Sequence, residues 1–234
     1  MHGNIDFRTF ETRAAASAAA ASLLADLLRD ALDSEPRKEA SLVVSGGSTP
    51  GPCFDLLSSE SLDWSRVTVI PSDERWVPPT DTASNEALIR TRLLRGPASD
   101  GKVLPFFREG LDAAQAPAVI EQDLARLTRV FSAALLGMGE DGHFASLFPD
   151  FDGLQEALDP RSGSACTLVQ TASSPYLRIS LTLSALLNSA HIALLIFGAA
   201  KRSVVETAMS GASAYPVDAL LRQTRTPVTV IWAP

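Results

Sequence analysis

Apolar residues in this chain follow two spacings, one recurring every three or four positions and one filling short uninterrupted runs. The first marks one face of a helix, the second a strand buried on both sides. Over residues 9–32, alanines together with Leu23, Leu24, Leu27, Leu28 and Leu32 keep helical spacing, and both residue types favour helix, so a long opening helix is predicted. An apolar run at 40–44 breaks into SGGSTPGP, and a helical pattern resumes over 53–57. A β-branched run at 67–70 ends in PSDERWVPPTD, followed by a helix over 84–94 with Ser84 as N-cap. Helical spacing over 118–127 precedes an apolar run at 132–136 that stops at GMGEDGH. Strands are predicted at 166–170, 177–181, 192–197 and 228–232 and a helix over 199–209, while the turn-rich stretch 149–163 has no clear pattern.

This alternation describes an α/β fold with a mostly parallel, doubly wound sheet and helices on both faces. Ligands of such sheets sit beyond the carboxyl ends of the strands, which directs attention to the loops after Val44, Ile70, Leu136 and Phe197. With no repeat, linker or break in composition, residues 1–234 read as a single domain. The 20 Lys and Arg against 27 Asp and Glu leave a formal charge of −7, which disfavours nonspecific attraction to nucleic acid or to an anionic membrane. Any anionic ligand must then be held by a local cluster of donors. Cys53 and Cys166 form no C-x-x-C pattern, and His2, His143 and His191 never fall at ligand spacing, so neither a disulfide framework nor a metal site is expected. A chemistry without cofactor is the expectation. Acidic residues stand where an export signal would be basic, and the apolar run at 190–200 is shorter than the roughly 20 residues that cross a bilayer, so a cytoplasmic location is expected.

Three loops carry candidate chemistry. In Ser45-Gly46-Gly47-Ser48-Thr49-Pro50, glycines let backbone amides approach an anion, with Thr49 read as N-cap and Pro50 as first residue of the next helix. The same letters also fit a plain strand-to-helix turn, and the loop matches neither a Walker A nor a dinucleotide fingerprint. Ser72-Asp73-Glu74-Arg75 sets three charges directly after a strand, where Arg75 can clamp an oxyanion or simply pair with its acidic neighbours. Asn85 follows closely, either as a ligand contact or as a helix N-terminal residue. In GMGEDGHFAS, three glycines within six residues are a poor way to build a core, yet they surround Asp141 and His143. Histidine titrates near neutrality and can take a proton from water when a carboxylate orients its ring. His191, inside an apolar run, reads as structural. Arg178 opens a strand and Lys201 a helix; a lysine in a first turn opposes the helix dipole unless an anion compensates it.

Taken in order, SGGSTP, SDERWV with SN shortly after, GMGEDGHFASLFP, PYLRISLTLSALLNSA and FGAAK resemble the 6-phosphogluconolactonase family over about residues 45–201. The resemblance implies a three-layer α/β/α, Rossmann-like fold and hydrolysis of 6-phospho-D-glucono-1,5-lactone to 6-phosphogluconate in the oxidative pentose phosphate pathway, without metal or organic cofactor. It implies His143 as general base, Asp141 as its partner and Arg75 near the reacting carbonyl. Gly46, Gly47, Ser48 and Thr49 would surround the phosphate, Arg178 and Lys201 would add positive charge, and Asp73, Asn85 and Gly139 would be further substrate contacts. Asp73 and Glu74 would organise Arg75 or meet sugar hydroxyls. The oxyanion donor stays open between Arg75 and a backbone N–H of the glycine loop.

Two other functions fit the fold. A glucosamine-6-phosphate deaminase resembles this chain but carries an acid where Phe148 precedes Pro149, and an aromatic where Arg75 stands. A sugar-phosphate sensor would need a DNA-binding segment, and the N-terminal helix offers no basic face. The expected partner is a phosphorylated sugar lactone, with no nucleic acid and no membrane.

Overall fold

The computed structural model describes residues 4–34, 39–127, 130–172, 174–211 and 213–234, so His2 lies outside it. Its central sheet has seven strands: β1 (Ile5–Thr9), β2 (Ala40–Val44), β3 (Val67–Pro71), β5 (Lys102–Val103), β6 (Ala133–Leu136), β9 (Ile192–Phe197) and β10 (Val228–Ala233). They lie in the order β1-β10-β9-β6-β2-β3-β5, and every pairing is parallel. A second, three-stranded antiparallel sheet joins β4 (Asp73–Arg75), β8 (Arg178–Leu181) and β7 (Cys166–Val169) in that order.

Successive side chains of a strand point to opposite faces, and here both faces are apolar. Leu42 and Val44 of β2, Ala133 and Leu135 of β6, and Ala193 and Leu195 of β9 share a core with helices α1 (Arg13–Asp33) and α2 (Gly51–Leu57). Val43, Ala134, Leu136, Ile192, Leu194 and Ile196 face the other core, closed by α4 (Ala116–Leu124), α7 (Ala199–Ser210) and α8 (Pro216–Arg222). The result is a three-layer α/β/α arrangement. Helix α1 turns a stripe of Ala16, Ala20, Leu24, Leu28 and Leu32 inward at four-residue steps, and Thr12 caps it by accepting the Ala15 N–H at 3.1 Å. Each fully buried Leu or Val stabilises the fold by roughly 1.5–3 kcal/mol, so the inward stripes dominate its energetics.

The strand order reverses between β2 and β6. From β2 the sheet runs through β3 to β5 on one side, and through β6, β9 and β10 to β1 on the other. At such a reversal the loops leaving the two central strands diverge and open a crevice at their carboxyl ends. The pairing of Val44 with Leu135 brings the loops after β2 and β6 out side by side.

Several expectations need correction. The opening helix starts at Arg13, and residues 5–9 instead form edge strand β1, whose Ile5 and Phe7 lean on the core while Asp6 and Arg8 pair in solvent at 2.6 Å. Two inward residues make too short an alternation to read. The strands around 166–170 and 177–181 lie outside the parallel sheet, and β4 is drawn from what reads as a charged loop. Thr49 is not the cap of α2: Pro50 occupies that position in helical conformation, without a side-chain cap. The helix over 84–94 splits into α3 (Asn85–Leu88), capped by Ser84 as expected, and a π-helical turn Ile89–Leu93. The unassigned stretch contains α5 (Leu154–Ala157), and β5, α6 (Leu183–Leu186) and α8 went unread.

Candidate active site

Above the reversal lies a cavity of about 260 Å³ lined by the loops after β2, β3, β6 and β9. Gly46, Gly47, Ser48 and Thr49 form one wall, Asp73, Arg75 and Asn85 a second, Gly139 and His143 a third, and Arg178 and Lys201 complete it. Of the candidate catalytic and substrate residues named from the sequence, Asp141 and Glu74 do not line the cavity; Asp141 stands behind His143. Sequence reading missed Ser45, Gly137, Met138, Phe144 and Ala145 as lining residues. Ser45 ties two walls together, donating its N–H to Leu135 O at 2.9 Å and accepting the Gly137 N–H on Oγ at 3.0 Å. Gly46 has to be glycine, because a Cβ there would lie 1.8 Å from Asn85 Oδ1. The Asn85 amide in turn donates to Asp73 O at 2.7 Å, so this side chain locks the first loop against the second.

The charged triplet after β3 divides its work. Glu74 is fully buried, and its carboxylate accepts the N–H groups of Arg75 at 2.9 Å, Asn85 at 2.7 Å and Glu86 at 2.7 Å, and the Ser84 hydroxyl at 3.0 Å. Burial pushes its pKa up against these hydrogen bonds. Glu74 thus fastens α3 to β4 and does not line the cavity. Asp73 accepts the hydroxyls of Ser72 at 2.9 Å and Ser146 at 2.6 Å, with Arg178 Nη1 3.7 Å away. On β4 and β8, Arg75 and Arg178 are directly opposed. Like charges across a ladder repel, a cost that an anion between them offsets. Burial lowers the Arg178 pKa, with Asp73 opposing and the Arg75 charge adding to the effect. Arg75 Nη1 donates to Ala83 O at 2.5 Å, while its Nε–H is buried without a hydrogen-bond partner among the described residues. A donor left so costs about 1–3 kcal/mol.

The glycine loop after β6 curls on itself, with Gly139 N–H donating to His143 O at 2.9 Å and Gly142 N–H to Gly139 O at 3.1 Å. The curl brings Asp141 Oδ1 to 2.6 Å from His143 Nδ1, and the same oxygen accepts the His143 N–H at 3.2 Å. A carboxylate on Nδ1 puts the proton there and leaves Nε2 as the acceptor, the tautomer a general base requires. Outside the cavity, His191 contacts Thr229 Oγ1 at 2.8 Å and has its pKa lowered by burial, which agrees with a structural role. Cys53 and Cys166 are free and buried, and burial pushes the Cys53 thiol up to about 12, so neither is a poised nucleophile. Among the described residues no group of three His, Cys, Asp or Glu is placed to hold a metal ion, and no helix is long and apolar enough to cross a membrane.

Comparison with known proteins decides the family. The model for "Glucosamine-6-phosphate isomerases/6-phosphogluconolactonase" matches residues 11–232. The chain belongs to this family. A 6-phosphogluconolactonase of Caulobacter vibrioides is 37% identical over 231 residues, covering 98% of this chain and 97% of that protein. The crystal structure of a 6-phosphogluconolactonase from Shewanella baltica superposes with a TM-score of 0.92 at 38% identity, each chain covered in full. A monomeric glucosamine-6-phosphate deaminase shares the fold alone, at a TM-score of 0.71 and 22% identity. Fold therefore does not separate the two activities of the 6-phosphogluconolactonase and isomerase family; the site residues must. Here Phe148 lies against the His143 ring, with centroids 4.3 Å apart, at the position where the deaminase reading requires an acid.

Proposed function

We propose that this protein hydrolyses 6-phospho-D-glucono-1,5-lactone to 6-phospho-D-gluconate, a cytoplasmic step of the oxidative pentose phosphate pathway, and that it does so without metal or organic cofactor. The observation that carries the reading is the 2.6 Å contact between Asp141 and His143, whose ring lines the same cavity as Arg75, Arg178 and Lys201. His143 Nε2 takes a proton from water as the water oxygen bonds to the lactone carbonyl carbon. The carbonyl electron pair moves onto oxygen, and Arg75 stabilises that oxyanion. Gly137 and Gly139 already spend their N–H groups on Ser45 and His143, which favours the guanidinium of cavity-lining Arg75 over those two amides as donor. When the tetrahedral species collapses, the bond from carbonyl carbon to ring oxygen breaks and that oxygen takes the proton held by His143. The open-chain acid then ionises. Asp141 keeps the imidazole in its tautomer and stabilises its charged form. No covalent nucleophile is needed, because a lactone is already an electrophile and positioning supplies most of the barrier reduction.

The phosphate belongs in the Gly46 to Thr49 loop, where Lys201 at the opening of α7 supplies charge that the dipole of its own helix disfavours without an anion. Asp73 has both carboxylate oxygens engaged by serines, so it positions Ser146 and Arg178 more than it meets substrate hydroxyls. The test is lactone hydrolysis by purified protein, with substrate generated in situ from glucose 6-phosphate and the uncatalysed rate subtracted. Acceleration supports the reading, and a rate equal to background overturns it.

A further inference from the structure

We propose that Phe148 is a positioning residue that sets the plane of the His143 imidazole and thereby the aim of its Nε2; the proposal rests on His143 being the general base. The Phe148 and His143 ring centroids are 4.3 Å apart with the planes inclined by 40°, a tilted stack within the range of attractive aromatic pairs. The Arg178 guanidinium carbon lies 5.2 Å from the centroid of the same phenyl ring. Two charged or chargeable groups of the cavity wall thus lean on one side chain that itself does not line the cavity.

The physical need for such a contact follows from how His143 is otherwise held. Among the described residues its side chain has one hydrogen-bond anchor, Asp141 Oδ1 on Nδ1. The ring can pivot only about its Cβ–Cγ bond, and that one hydrogen bond is the polar contact that resists the pivot. Asp141 is 47% exposed, so water competes for that anchor as well. The glycines of the loop supply no side-chain packing. A phenyl face against the imidazole removes the pivot and shields one side of the ring from water, leaving Nε2 with one direction.

The phenyl is already polarised by a permanent cation, because Arg178 sits within cation–π range. A second positive charge at His143 gains less from the same ring, so the contribution of Phe148 is to orientation more than to stabilising imidazolium. This sets it apart from Asp141, which acts on charge. It also predicts a signature in turnover, since misaiming a general base slows proton transfer without weakening ground-state binding.

The test uses the full-length protein and the lactonase assay. Phe148→Leu keeps apolar volume and removes the ring face, and is expected to lower kcat about tenfold with KM changed by less than about threefold. Phe148→Tyr keeps the face and is expected to restore most of the turnover. In a His143→Asn background, Phe148→Leu is expected to have no further effect, because the group through which it acts is gone. Phe148→Leu retaining more than half of wild-type kcat, or losing the same factor in both backgrounds, overturns the proposal. Should the leucine variant fail to fold, the wild-type protein still decides: nuclear Overhauser contacts between the His143 and Phe148 ring protons are expected, and their absence refutes the stack. That measurement needs no turnover, so it separates failure of this inference from failure of the lactonase reading.

Discussion

Gly139→Ala probes whether the Asp141–His143 pair is the working part of the loop. A Cβ at position 139 would lie 2.3 Å from His143 Nδ1, 2.4 Å from His143 Cε1 and 2.4 Å from Asp141 Oδ1. Ordinary contacts at a Cβ begin at 3.4 Å, so the colliding groups must retreat by about 1 Å. Those groups are the two partners of the 2.6 Å hydrogen bond, and the methyl group crowds both from one side. Gly139 is not among the residues with positive φ, so alanine meets no backbone penalty, and the shorter list of unfolded conformations favours the variant slightly. Stability is therefore expected to hold while geometry is lost. A hydrogen bond to a charged group is worth about 1.5–3 kcal/mol, and a 1 Å misplacement of a reacting group costs roughly 10²-fold in rate. The expected outcome is a kcat about 10²-fold below wild type, KM within about threefold and an unchanged melting temperature, read by background-subtracted lactone hydrolysis and thermal denaturation. A folded Gly139→Ala protein with turnover within twofold of wild type would refute the argument.

The phosphorylated lactone is expected to exceed glucono-1,5-lactone in kcat/KM by at least about 10²-fold, the worth of two charge-assisted hydrogen bonds, with Lys201→Met narrowing the gap; equal efficiencies would show that the loop after β2 is only a turn. Glu74→Ala is expected to destabilise the fold by about 1–3 kcal/mol, because removing the carboxyl leaves the buried donors of Ser84, Asn85 and Glu86 without their acceptor. Its pH dependence has a fixed sign. Since the pKa of Glu74 in the folded state lies above its ordinary value, the folded protein binds more protons than the unfolded one above the ordinary carboxylate range, and wild-type stability falls as pH rises through that window. The difference in urea midpoint between wild type and Glu74→Ala should therefore shrink from pH 5 to pH 7, and a difference that grows would contradict the assignment.

What the sequence revealed about the site came from residues whose local context is anomalous. Gly46, Gly47 and Gly139 break apolar runs at strand ends, and a histidine among glycines has no core to join, so the cavity walls could be named before any fold was drawn. The supporting residues gave no such signal. Glu74 reads as one more solvated charge, because its partners at Ser84, Asn85 and Glu86 arrive only when the chain turns back. Ser146 meets Asp73 across 73 residues, and no local pattern encodes that contact. Among the elements, the doubly buried strands were legible from their continuous apolar runs. The three-residue β4 was not, because Asp-Glu-Arg has no strand propensity of its own and is held by pairing with β8. The opposed Arg75 and Arg178 emerge from that register, which only the fold supplies.

The central claim is that His143 deprotonates the attacking water, and His143→Asn tests it most directly, since asparagine keeps polarity and approximate size but cannot take up the proton. With the uncatalysed rate subtracted, the expected result is a kcat lower by roughly 10²–10⁴-fold with KM nearly unchanged. A folded His143→Asn protein that retains most of its turnover would contradict it and move the search for the base to Asp73, the carboxylate that lines the cavity.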